Sequence, residues 1–162
     1  MIKKEEFELC KELAPIIKPL AEKYDWRPEV ISAIISRESR FGLILDPDMT
    51  GDNGHGHGLV QIDDRSFGSW LANHDWQDPF INIEMGVKIL TDKYNYLNEH
   101  GGFDNMNQEE AEQAAIAAYN CGEGNMMRVV RNGENIDNRT ANKNYSSDVL
   151  DRAEQFKEIF QG

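Results

Sequence analysis

Cysteine is scarce in this chain: 162 residues carry two, Cys10 and Cys121. Two thiols permit one bridge at most and exclude both a disulfide framework and a cysteine-rich metal site. Two buried free thiols are the simpler expectation. Long apolar runs are missing as well, and no stretch approaches the roughly 20 residues that a bilayer-spanning helix requires. Basic side chains are outnumbered, 17 lysines and arginines against 29 aspartates and glutamates, for a formal net charge of -12. Nucleic-acid binding needs a cationic footprint, so this balance argues against it. The start, Met1-Ile2-Lys3-Lys4-Glu5-Glu6, turns acidic at once and has no apolar core, which is not the pattern of a signal peptide. Either the protein stays where it is made or a leader is absent from the sequence. Repeats and linkers are lacking too, so one domain over residues 1–162 is expected.

What the chain does have is 40% hydrophobic and 28% charged residues, a globular balance with enough apolar side chains for one core. Apolar positions from Phe7 to Tyr24 predict one or two helices, broken or kinked at Pro15 and Pro19. Pro28 opens and Gly42 closes a second helix containing Ile31-Ser32-Ala33-Ile34-Ile35-Ser36-Arg37-Glu38. Ile31, Ile34 and Ile35 precede Glu38 at helical spacings, so its carboxyl shares their apolar face. Burial disfavours a charged carboxylate, and an acid kept protonated near neutral pH can serve as a general acid. An ordinary structural glutamate, paired with Arg37 or Arg40, is the competing reading.

Residues 43–64 change character. Asp46, Pro47, Asp48, Gly51, Asp52, Asn53, Gly54, Gly56 and Gly58 are closely packed turn formers. Leu59-Val60-Gln61-Ile62-Asp63 alternates like a strand, which predicts a small β-hairpin or ribbon. His55 and His57 with an aspartate form a possible metal set, although EF-hand spacing fails. Solvent-facing histidines in a glycine loop are the plainer expectation, with no metal and no cofactor. Farther on, Asp78-Pro79 predicts a helix over about 79–99, ended by Gly101-Gly102, and Asn107 with Glu110 caps another over 108–119. Short and final helices follow at about 125–131 and 146–160. The expected fold is mostly α, with a helical segment at 1–24 and one small β element.

Three stretches, taken in order, resemble the goose-type lysozymes and, more distantly, the soluble lytic transglycosylases. They are Ile35-Ser36-Arg37-Glu38-Ser39-Arg40-Phe41-Gly42, the run from Gly51 to Asp63, and Ala117-Ala118-Tyr119-Asn120-Cys121-Gly122-Glu123-Gly124-Asn125. Tyr145-Ser146-Ser147-Asp148-Val149 resembles the family's closing segment, so the likeness covers residues 25–162. It implies an α+β lysozyme-like core with its β-ribbon beside an active-site cleft. It implies cleavage of the β-1,4 bond between N-acetylmuramic acid and N-acetylglucosamine in peptidoglycan. By the same resemblance Glu38 matches the catalytic acid and Asp52 and Asp63 the aspartates that hold water. Gln61, Tyr119, Asn120 and Tyr145 match sugar-lining positions, and His57 joins the substrate-facing set. One carboxyl as acid and another activating water is the inverting scheme, which needs roughly 6.5–9.5 Å between them.

The nearest alternative is a lytic transglycosylase, in which the muramic 6-hydroxyl attacks and leaves an anhydro sugar; water-holding aspartates argue against it. A catalytically silent sugar-binding module of the same fold would be expected to lack the acid. Cys121 departs from the alanine common after the Tyr-Asn pair in relatives. The implied partner is bacterial peptidoglycan, met by a monomer outside the cell or facing the wall, or released at phage lysis, with no membrane and no nucleic acid involved. The acidity departs from many lysozymes, and it predicts binding that improves as salt screens repulsion from an anionic wall.

Overall fold

A computed structural model describes residues 1–161. Their fold is mostly helical, with one small antiparallel sheet. The chain divides into two compact units, one from Met1 to Val87 joined by the segment that begins at Arg152, the other Lys88–Asp151.

The first unit begins with α1 (Lys4–Tyr24), a single helix with Pro15 and Pro19 inside it. The predicted break is absent because the prolines are one turn apart on an exposed face. The two residues whose carbonyls lose N–H partners, Lys11 and Pro15, are both exposed, so solvent can take the place of the missing bonds. The opposite face buries Cys10, Ile17, Leu20 and Ala21. It packs on α2 (Pro28–Ser39), which is buried almost throughout from Glu29 to Ser36.

Polar side chains join these helices. The Ser36 hydroxyl donates to the buried Glu6 carboxylate at 2.6 Å and accepts from Arg152 Nη1 at 2.8 Å. Cys10 Sγ donates to Ser32 Oγ at 3.4 Å. The Phe156 ring stands 5.2 Å from that of Phe7 and 5.6 Å from that of Phe41.

Helix α2 stops at Ser39, three residues before the glycine expected to end it. Arg40, Phe41 and Gly42 are all left-handed, with φ of 49°, 57° and 87°. A non-glycine residue there costs about 1–2 kcal/mol. Burial of the Phe41 ring offsets part of that.

The β element is a three-stranded antiparallel sheet of two-residue strands: β1 (Thr50–Gly51), β2 (Gly56–His57) and β3 (Ile62–Asp63). Leu59-Val60-Gln61, expected within a strand, is instead a turn. Gln61 has φ 54°, and the buried Asn82 side chain accepts from Val60 N at 3.0 Å, taking that N–H out of ladder pairing. Helix α3 (Asp64–Asn73) follows without having been predicted. Its N-cap is Asp63, whose carboxylate accepts from Arg65 N at 2.8 Å.

Helix α4 (Pro79–Glu99) begins as expected, with Asp78 Oδ1 accepting from Phe80 N at 2.9 Å. Ile83, Val87, Leu90 and Leu97 of its apolar stripe are buried, whereas Phe80 is 48% exposed. In the second unit α5 (Gln108–Cys121) carries the predicted Asn107–Glu110 capping box. Its alanines Ala114, Ala117 and Ala118 pack with Leu97 and with Met126, Met127 and Val129 of α6 (Glu123–Asn132). Alanine's small side chain lets these backbones approach closely. Helix α7 (Tyr145–Phe156) ends in a 3-10 turn, Lys157–Phe160. Both cysteines are free thiols, Cys10 buried and Cys121 half-buried. Burial pushes the Cys10 thiol up to about 11 and raises that of Cys121, so both are protonated at neutral pH. Among the described residues no helix is long and apolar enough to cross a membrane.

Candidate active site

Glu38 stands in the last turn of α2, half-buried, with Ile31, Ile34 and Ile35 buried before it. The next residue, Ser39, ties this helix end to the glycine loop. Its hydroxyl donates to the Leu59 carbonyl at 2.8 Å and accepts from Gly42 N at 3.1 Å. Ser39 is fully buried, so these bonds lie away from water and fix the end of the helix against residues 58–61.

That loop is anchored a second time by Asn82 of α4. Asn82 Nδ2 donates to the His57 carbonyl at 3.1 Å, complementing the bond from Val60 N to its Oδ1. Gly58 makes the contact possible. Its φ is 76°, and a Cβ there would stand 2.2 Å from Asn82 Nδ2. Gln61 then folds back over the sheet, Nε2 donating to the Gly58 carbonyl at 3.0 Å. Its amide covers Gly51 and Gly56, where added Cβ atoms would lie 2.7 and 2.1 Å from Gln61 Oε1. Two of the loop's glycines are therefore seats for the Gln61 side chain.

The two aspartates are brought together by a residue the sequence reading did not single out. Arg65 Nε donates to Asp63 Oδ1 at 3.0 Å, and Nη2 donates to Asp63 Oδ2 at 3.0 Å and to Asp52 Oδ2 at 3.0 Å. Hydrogen bonds from the Arg65 guanidinium hold the Asp63 carboxyl below the usual aspartate range, outweighing the opposing effect of burial. The Arg65 backbone N–H and the nearby His55 act in the same direction. The structure supplies the signal that the sequence lacked, because α3 was not foreseen: Arg65 is the second residue of that helix, where the helix dipole disfavours a cation. A basic residue in such a place needs carboxylates close by.

His55 Nδ1 lies 2.9 Å from Asp64 Oδ1. His57 Nδ1 faces two carbonyls, His55 O at 3.0 Å and Ile62 O at 3.2 Å, so it carries the proton and leaves Nε2 as the acceptor of the neutral ring. The His57 ring meets Trp76 edge-on at 4.8 Å, and Trp70 stacks on His74 at 4.5 Å. Among the described residues no three His, Cys, Asp or Glu side chains converge as metal ligands.

Glu38, Asp52, His57, Gln61 and Asp63 thus belong to the first unit; Tyr119, Asn120 and Tyr145 belong to the second. Tyr119 is half-buried near the end of α5. Asn120 is exposed, and its Oδ1 accepts from Ala141 N at 2.8 Å. Tyr145 is only 1% exposed, which leaves neither ring face open for stacking. The sequence reading also missed Asp137. It is buried and accepts from Ser146 N at 2.8 Å and Ser147 N at 3.0 Å, capping the start of α7.

A mostly helical chain with one minimal sheet, and carboxyl groups divided between a helix end and a glycine loop, points to a lysozyme-like class of protein. The family model described as Lysozyme g matches residues 1–159. A Lysozyme g of Casuarius casuarius is 35% identical over 146 residues, 88% of this chain and 71% of that protein. A Lysozyme G of Dromaius novaehollandiae is 32% identical over 161 residues, covering 98% and 72% of the respective chains. A Lysozyme g of Gallus gallus is 36% identical over 146 residues, 88% of this chain and 63% of that one. The chain belongs to the lysozyme g family, which makes it a glycoside hydrolase of the muramidase class.

Proposed function

We propose that this muramidase hydrolyses the β-1,4 bond between N-acetylmuramic acid and N-acetylglucosamine in peptidoglycan by inversion, with Glu38 as general acid. Glu38 gives its proton to the leaving oxygen as oxocarbenium-like charge grows on the sugar ring. Asp52 and Asp63 hold and deprotonate the water that attacks from the opposite face, and the Arg65 guanidinium favours the ionised form of Asp63. Gln61, His57, Tyr119 and Asn120 contact the glycan, and Tyr145, whose ring is buried, does not stack on it. The observation that carries this reading is the division of carboxyls. Glu38 ends an apolar helix, whereas the aspartates sit together on Arg65 in the glycine loop. The protein acts as a monomer, outside the cell or facing the wall, and its net charge of -12 favours neither nucleic acid nor anionic membranes as partners.

Mass spectrometry of fragments released from purified peptidoglycan tests this, comparing the protein with Glu38→Gln. Ordinary reducing ends, lost in the variant by about 100-fold or more, are expected. Fragments one water lighter would make the enzyme a lytic transglycosylase and leave the aspartates without a role in water activation.

A further inference from the structure

The geometry points to Arg65 as a positioning residue for the hydrolytic step, fixing Asp52 and Asp63 relative to one another as a single water-handling unit. This rests on the mechanism proposed above. An exposed ion pair is ordinarily fluid and contributes little to stability. Arg65 differs in being held at both ends of the residue. Its backbone N–H donates to Asp63 Oδ1 at 2.8 Å, and its side chain returns to the same carboxylate through Nε and Nη2. The guanidinium is thereby oriented before it meets Asp52.

Asp52 is otherwise placed by a demanding turn. Asp52, Asn53 and Gly54 are successive left-handed residues, with φ of 51°, 56° and 87°. Residues in that region relax readily unless something outside the turn restrains them. The bond from Arg65 Nη2 to Asp52 Oδ2, at 3.0 Å, spans 13 residues of sequence and supplies that restraint.

Arginine suits the task where lysine would not, because a planar guanidinium serves two carboxylates at once in fixed directions. Among the described residues Asp52 Oδ1 has no partner, so the trio keeps one open acceptor for a water proton. The charged and titratable groups around it are His55, near Asp63, and Asp64, which pairs with His55.

The test uses Arg65→Lys and Arg65→Gln in the full chain, assayed on purified peptidoglycan across pH, with thermal melts and Glu38→Gln alongside. Arg65→Lys keeps the charge but cannot fork, so kcat is expected to fall about 10- to 100-fold with KM nearly unchanged. Its acidic limb should stay in place. Arg65→Gln should lose at least as much kcat, and its acidic limb should move to higher pH, because a cation that favours ionised carboxylates is gone.

Wild-type kcat in Arg65→Lys would overturn the proposal, since charge without the fork would then suffice. So would variants that lower Tm while leaving kcat and both pH limbs intact. If Arg65→Gln fails to fold, Arg65→Lys decides the matter alone. An active Glu38→Gln would instead bring down the underlying mechanism, whatever the arginine variants do. A dead Glu38→Gln beside normal arginine variants would bring down only this inference.

Discussion

Single residues in the loop from Gly51 to Asp63 are fixed by mutual fit. Gln61 lies over Gly56 so closely that a methyl group there would meet its Oε1 at 2.1 Å and its Cδ at 2.7 Å. Gly56 has no left-handed φ to protect, so its requirement is steric. Gly56→Ala is expected to push Gln61 off the sheet, destabilise the fold by about 1–3 kcal/mol and raise KM. Adding Gln61→Ala should return most of the lost stability but not the KM, a coupling that thermal melts and kinetics of the double variant would measure. The sequence marked these glycines as turn formers that would let a ligand approach the backbone, whereas a side chain occupies the space over two of them. Which one approaches is a matter of contacts. Arg65 was overlooked for the same reason, since its partners Asp63 and Asp52 are 2 and 13 residues away and only one of those is local.

Among the elements, helix starts were legible where the cap and the helix are adjacent in sequence. Asn107 with Glu110 and Asp78 before Pro79 both behave as read. Asp137 is the opposite case, capping α7 from nine residues before Ser146 across the polar loop. Burial works to raise its carboxyl, yet the N–H groups of Ser146 and Ser147 and the hydroxyls of Ser146 and Thr140 outweigh that and hold it below the usual aspartate range. A lowered folded value means that the stabilisation is complete above the unfolded aspartate range and is lost as pH falls through the folded value. Asp137→Ala should therefore cost about 2 kcal/mol at neutral pH. Melting curves of variant and parent should converge in strong acid; a constant gap at every pH would contradict the charge-based account. Of the one or two helices the sequence allowed, α1 is the single one, unbroken at Pro15 and Pro19, because the penalty for proline depends on whether the deprived carbonyls face water or protein. Sequence alone does not say which.

For the whole molecule, charge is the property that most affects encounters with substrate. At -12 the protein is repelled by any anionic polymer, and a Debye length of about 30 Å at 0.01 M falls to about 8 Å at physiological ionic strength. Turnover of peptidoglycan suspensions should rise as salt is added to a dilute buffer. A steady fall from the first addition would show that a local cationic surface, and not net charge, governs binding.

Sequence by itself determined the helical fold class, the glycine loop, the position of Glu38 on an apolar helix face and the family resemblance. All of these are written in spacings of a few residues, where backbone period and turn chemistry act directly. Tertiary structure decided that the ribbon is a three-stranded sheet, that Leu59-Val60-Gln61 is a turn and that Asp63 caps a helix. It also decided the ties of Ser39 to Leu59, Asn82 to His57 and Val60, and Arg65 to Asp52. These bonds join residues 13 to 25 apart, beyond the reach of local backbone rules, and the buried ones among them form because packing has excluded water from their donors and acceptors.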